Sequence, residues 1–135
     1  MAENWDLQRL VPWRGAAVFS SEGKKVGEVT EIVYDYFSGG PVWIGLGSGL
    51  LGVRTLLVPA KDALAEGDHL RVAYTKDTLI GQPHVDMGEG FDSLTDERHI
   101  YAYFGVPLDE KRDVRVLRIG EDLPGLERVI TEHER

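Results

Sequence analysis

The chain has 135 residues, of which 42% are hydrophobic and 28% charged, and it contains no cysteine. This profile is typical of one globular domain; it excludes a wholly disordered chain, disulfides and thiolate chemistry. The formal net charge of −8 repels a phosphate backbone, so we do not expect nucleic acid as a partner. No apolar run reaches the roughly 18 residues of a membrane-spanning helix and no signal-peptide pattern opens the chain, so we expect a cytoplasmic location.

Short strands separated by turn residues fill the first half of the chain. The expected strands run from Ala16 to Phe19, Lys25 to Tyr36, Val42 to Leu46, Thr55 to Val58 and Leu70 to Tyr74. Clusters of serine, glycine and proline lie between them, as between the strands of hairpins. Glycine at the corners favours a strongly curved sheet closed into a partial or complete barrel, whereas an open flat sheet would leave two free edges. The sequence therefore predicts a mainly β fold, a small antiparallel β-barrel of about five or six strands.

A loop and one helix follow the predicted barrel. Residues 81–91 are rich in glycine, proline, aspartate and histidine and show no hydrophobic period. A helix is expected to begin at a Ser93 or Thr95 cap and to run to Phe104, because Gly105 and the proline two residues later are stop signals. Its apolar stripe, at spacings of three and four, comprises Ile100, Tyr103 and Phe104. This stripe is expected to pack on the barrel or on a partner.

These patterns divide the chain into four segments. They are an N-terminal strap at 1–12, the barrel at 13–80, the loop and short helix packed on it at 81–106, and a C-terminal extension at 107–135. The extension alternates weakly at Val114, Val116 and Leu117 and ends in LERVITEHER, a helical pattern too short to be stable alone. It is therefore expected to dock on the rest of the chain.

No motif in the sequence indicates a catalytic or metal site. His84, Asp86, Glu89 and Asp92 could in principle converge on a divalent cation, but the ligand spacing of a calcium loop is absent, so a solvated acidic loop is expected. The serines fall in turn or cap positions. We therefore expect no enzyme, no metal and no cofactor; an enzyme whose site is not recognisable from sequence stays open as an alternative.

Aromatic and basic side chains are better candidates for a functional surface. Trp5 and Trp13 bracket an apolar strap, which either packs across its own barrel or contacts a partner. Trp43 is expected in the core. The basic cluster between Lys111 and Arg118 is expected to be a solvated strand edge, although it could meet an acidic partner or RNA. The predicted partner-binding residues are Trp5, Trp13, Tyr101, Tyr103, Phe104, Arg112, Arg115 and Arg118.

The order of these segments resembles the PRC-barrel domain family, the small β-barrel named after the photosynthetic reaction centre H subunit. The resemblance covers roughly residues 13–106 and rests on the runs WRGAAVFSSEGKKVGEVTEIVYD, GPVWIGLGSG, LLVPAKDA, LIGQPHVD and SLTDERHIYAYFGV. Each run is short and unspecific, and their order along the chain carries the resemblance.

The resemblance implies a non-catalytic role in holding protein partners. Family members include the cytoplasmic part of the H subunit and a domain of a ribosome maturation factor. The chain shows neither the membrane helix of the first nor the N-terminal domain of the second, and both departures weaken the transfer of either specific role. We therefore expect a cytoplasmic adaptor or a self-associating scaffold, most simply a homodimer. The alternative is an RNA- or ribosome-associated assembly factor.

Overall fold

The structure is a computed structural model that describes residues 5–48, 54–83, 94–107 and 114–118. Within these ranges one sheet contains seven strands. The strands are β1 (Ala17–Phe19), β2 (Lys25–Asp35), β3 (Pro41–Ser48), β4 (Arg54–Pro59), β5 (Ala63–Glu66), β6 (His69–Val72) and β7 (Val114–Arg118). The helices are α1 (Leu7–Leu10), α2 (Lys76–Ile80) and α3 (Leu94–Phe104). Short 3-10 turns at Val11–Trp13 and Ala60–Asp62 join α1 to β1 and β4 to β5. The described fold is therefore mainly β.

Strand β2 is the centre of the sheet. Its 11 residues pair with β3 along one side, and its opposite side is shared by β1 near the beginning and β7 near the end. Where β1 and β7 approach each other, Nη1 of Arg14 donates a hydrogen bond to the carbonyl oxygen of Arg118 at 2.8 Å. The N-terminal and C-terminal parts of the described chain therefore meet beside this one strand.

The described sheet is mixed and is not closed, which corrects the predicted antiparallel pairing throughout and the complete form of the predicted barrel. Strands β1 and β6 run parallel, with Val18 opposite Leu70. The strand order is β4-β3-β2-β1-β6-β5, and within the described ranges the end strands β4 and β5 do not pair. The side chain of Gln82 forms hydrogen bonds with the backbone of Leu57 on β4. A strand that closed the barrel would have to pair at this occupied edge.

Strands β2 and β3 approach each other closely at Gly27 and Gly47. A Cβ atom at Gly27 would overlap the backbone carbonyl oxygen of Gly47, so only glycine fits between these strands. The register between β1 and β2 also shifts between Val18 and Phe19. A bulge next to a close approach increases the local twist of the sheet.

Helix α3 covers the sheet with a stripe that differs by one residue from the predicted one. Ile100, Tyr101 and Phe104 are buried, whereas Tyr103 is 42% exposed. The rings of Tyr101 and Phe104 pack edge-on against Trp43, with centroids at 5.1 and 5.7 Å. Trp43 is fully buried, as its position between apolar neighbours predicted. The helix therefore closes the core around this one large side chain.

Element ends agree with the sequence where cap or turn residues mark them. Helix α3 stops at Gly105, which adopts the left-handed conformation with φ of +68°. Strand β5 and helices α1 and α2 were not predicted, although Thr75 is a good N-cap for α2 and its hydroxyl accepts the N–H of Thr78. Of the predicted loop at 81–91, residues 84–91 lie outside the described residues, as do the Ser93 cap and the C-terminal helix. Thr95, the other predicted cap, lies inside α3.

Candidate functional site

The two N-terminal tryptophans fasten the strap to the sheet of their own chain. The indole N–H of Trp5 donates to the carbonyl oxygen of Ala63 at 2.9 Å, and its ring meets that of Trp13 edge-on at 6.2 Å. Leu7 and Leu10 on α1 are buried in the core between them. The strap was expected either to pack on its own chain or to contact a partner, and its described residues pack on their own chain. A contact between either indole and a partner stays a prediction.

The three aromatic candidates on α3 divide between core and surface. Tyr101 and Phe104 are buried against Trp43, so only displacement of the helix would bring them to a partner. Tyr103 is exposed, and its hydroxyl donates to the carbonyl oxygen of Thr78 at 2.9 Å. This bond links α3 to α2. The packing gives all three a role inside the chain, and their predicted partner contacts stay untested.

The turn between β2 and β3 presents two aromatic rings to solvent. Tyr36 is 54% exposed and Phe37 is 73% exposed, and their rings meet edge-on at 5.9 Å. The carboxylate of Asp35 accepts the N–H of Phe37 at 3.2 Å and the hydroxyl of Ser38 at 2.9 Å. Gly39 adopts a left-handed φ of +74°, and its N–H donates to the Asp35 carbonyl at 2.7 Å. Hydrogen bonds within the turn itself thus stabilise its conformation.

Strand β7 places a positive charge next to these rings. Arg115 lies opposite Tyr34 in the register with β2, and its guanidinium carbon stands 4.4 Å from the centroid of Tyr36. This is the geometry of a cation–π contact. Tyr36, Phe37 and Arg115 together are called the hairpin-tip surface below. Tyrosine and arginine are enriched among the residues that dominate binding energy at protein interfaces.

The other arginines of the basic cluster have different positions. Nε of Arg118 lies 3.9 Å from Oε1 of Glu31 on β2. The carbonyl oxygen of Arg118 accepts the hydrogen bond from Arg14. Arg112 lies outside the described residues. Of these two arginines on β7, Arg115 therefore contacts the exposed ring of Tyr36, whereas Arg118 lies next to Glu31 on β2.

Sequence reasoning missed Tyr36 and Phe37 because it assigned Tyr36 to the end of a strand. A signal was available, since two adjacent aromatic residues directly before Ser38, Gly39 and Gly40 cannot both face the core in a tight turn. Adjacent residues of a strand point to opposite faces, whereas both rings of this turn project outward. The exposed pair is the functional candidate that the structure adds.

Tyr74, just after β6, forms a hydrogen bond with the carboxylate of Asp62, just before β5. The hydroxyl of Tyr74 donates to Oδ2 of Asp62 at 2.5 Å. Burial raises the pKa of Tyr74 well above its ordinary value, and the hydrogen bond and negative charge of Asp62 raise it further. The bond joins the turn before β5 to the residues that follow β6, and it fits a structural role.

The described ranges contain no group of three or more histidine, aspartate or glutamate side chains placed to hold a metal ion. His84, Asp86, Glu89 and Asp92, the possible cation ligands noted in the sequence, lie outside these ranges. Among the helices of the described residues, none combines the length and apolar character needed to cross a bilayer.

Comparison with known proteins adds a family. A search of curated proteins finds no match to the chain. The model of the PRC-barrel domain matches residues 8–79, which is more than half of the 135 residues. The match begins inside the strap, at α1, and ends inside α2, so it includes strands β1 to β6. The chain therefore belongs to the PRC-barrel domain family.

Proposed function

We propose that the chain is a non-catalytic protein-binding module that associates with a second copy of itself through the hairpin-tip surface. The observation that carries the proposal is the exposure of Phe37 (73%) and Tyr36 (54%) on an internally held turn. Membership of the PRC-barrel family supports a binding role, in line with what the resemblance implied. Location in the cytoplasm belongs to the same proposal.

Burial of these rings supplies a driving force for association. Complete burial of a phenylalanine side chain contributes about 1.5–3 kcal/mol relative to the exposed state. The Asp35 carboxylate and the left-handed Gly39 already order the turn, so little additional conformational entropy is lost on binding. A small preorganised aromatic surface can therefore act as an interface centre.

A second copy is the simplest partner because the surface carries both halves of a cation–π contact. A two-fold axis beside the turn would place Arg115 of each copy near Tyr36 or Phe37 of the other. Such an isologous contact needs no second type of surface. The net charge of −8 opposes association at long range, but the positive guanidinium groups reduce this repulsion at the contact itself.

The test is the oligomeric state measured by sedimentation or light scattering up to high micromolar concentration. We expect a dimer for the wild type and a dissociation constant raised at least about tenfold, the equivalent of about 1.4 kcal/mol, for Phe37→Ser. The matched control is Ile80→Ser, because Ile80 is also a large exposed apolar residue (47%) but lies on α2. It should leave the dimer unchanged.

Two results would contradict the proposal. One is a wild-type chain that remains monomeric at high micromolar concentration. The other is an equal weakening by Phe37→Ser and Ile80→Ser, since that would show a general effect of apolar surface and not a contact at the turn.

A further inference from the structure

On the edge of β4 that faces away from β3, the backbone N–H and C=O of Leu57 form hydrogen bonds with the side chain of Gln82. Leu57 lies opposite Gly45 in the register between β3 and β4. The N–H and C=O of one strand residue point to the same side of the strand. Since both groups of Leu57 bond to Gln82, both face away from β3. Leu57 is thus a point at which β4 could pair with another strand.

Gln82 reproduces the bonds that a neighbouring strand would make. Its Oε1 accepts the N–H of Leu57 at 2.7 Å, and its Nε2 donates to the carbonyl oxygen of Leu57 at 3.0 Å. The same Nε2 donates to the carbonyl oxygen of Leu79 on α2 at 2.8 Å. Gln82 as a whole residue is only 4% exposed. A primary amide offers one acceptor and two donors, so it replaces a peptide group and also holds α2.

We propose that Gln82 is a latch that closes the edge of β4 against pairing with a second copy of this chain, and that the edge opens when α2 lifts. Helix α2 has only five residues, so its stability depends on its contacts. They include the buried Leu79, the Gln82 amide, the bond from Tyr103 to Thr78 and the bond from the N–H of Lys76 to the carboxylate of Glu22. On this proposal, loss of these contacts is a local event, and the strands stay paired.

The partner that fits the open edge is the same strand of another molecule. Two antiparallel β4 strands with Leu57 opposite Leu57 would exchange the two backbone bonds that Gln82 now makes. Pro59, two residues further along the same edge, has no N–H that would need a partner. The pairing is therefore centred on Leu57, where the latch acts.

The first test is native-state hydrogen exchange on the wild type. The neighbouring amides of Leu56 and Val58 point toward β3, so they exchange when the sheet unfolds. We expect the Leu57 amide to exchange at least about tenfold faster, with a rate that changes little at low urea, because lifting α2 exposes little surface. Equal rates and equal urea dependence for the three amides would overturn the proposal.

The second test measures association after the latch is removed. Gln82→Met is made in a Phe37→Ser chain, so that the hairpin-tip surface proposed above cannot account for the result. We expect a concentration-dependent dimer in which the Leu57 amide becomes protected as concentration rises. The control, Lys76→Ala in the same background, changes an exposed residue of α2 and should remain as the parent. A Gln82→Met chain with the size of its parent at high micromolar concentration would overturn the proposal.

Discussion

Tyr74 joins parts of the described chain that are distant in sequence through its hydroxyl, its carbonyl oxygen and its ring. It donates to Asp62 in the turn before β5, while the carbonyl oxygen of Tyr74 accepts the N–H of Ser21 in the turn between β1 and β2. Its ring packs edge-on against Phe104 at 5.0 Å. Side chain and backbone of one residue therefore connect one end of the parallel β1–β6 pair with the turn before β5 and with α3.

Tyr74→Phe should remove the bond to Asp62 and retain the ring. We expect a loss of about 1 kcal/mol in the free energy of unfolding at neutral pH, measured with urea. The pKa of Tyr74 is raised in the folded chain, so its contribution is complete below about pH 10, the ordinary tyrosine value, and is lost as pH rises through the higher folded pKa. Stability of Tyr74→Phe should therefore decline less than that of the wild type above about pH 10. An identical alkaline decline in both proteins would contradict this.

At the scale of elements, the strap is the part whose role the structure makes most concrete. Helix α1 has only four residues, capped by Asp6, whose side chain accepts the N–H of Arg9. So short a helix is not stable alone. Its buried Leu7 and Leu10, with the Trp5 bond to Ala63, attach it to the sheet near β5. The strap is therefore expected to contribute to stability.

Leu10→Ala should lower the free energy of unfolding by about 2–4 kcal/mol, because it opens a cavity under the strap. Arg9→Ala, at the exposed neighbouring position, should cost less than about 1 kcal/mol. Urea unfolding of both variants checks this. Should Leu10→Ala leave too little folded protein, Trp5→Phe removes only the indole bond and should cost about 1 kcal/mol. Equal stability of Leu10→Ala and Arg9→Ala would mean that the strap does not pack as described.

The elements found from sequence are those marked by local signals. Alternating apolar residues and turn glycines predicted β2, β3 and β4, and Gly105 predicted the end of α3. Strand β5, with sequence ALAE, carries no strand-forming pattern, and its pairing with β6 depends on the tertiary fold. The parallel pairing of β1 with β6 and the bonding of Gln82 to Leu57 join residues far apart in sequence, so no local pattern could reveal an open sheet. For the same reason the stacking of Arg115 on Tyr36 was beyond prediction.

For the whole molecule, charge decides how association responds to salt. Two copies that each carry a net charge of −8 repel each other, and salt screens this repulsion within about 10 Å at 0.1 M. We expect the dissociation constant of the dimer to fall several-fold between about 0.05 and about 0.5 M NaCl. Binding of RNA or of an acidic protein through the arginines would weaken over the same range. Sedimentation at the two salt concentrations separates these outcomes, and a dimer weakened by salt would contradict the proposed self-association.

The place of β7 beside β2 has a consequence for synthesis of the chain on the ribosome. Val114 pairs with Asp35, roughly eighty residues earlier, so at about 5–20 residues per second the edge of β2 waits several seconds for its last partner. During that interval β7 is not yet paired with the backbone of Ile32 and Val33. An unpaired strand edge with apolar side chains favours aggregation of the nascent chain. Synthesis of residues 114–118 therefore supplies the strand that covers this edge of β2.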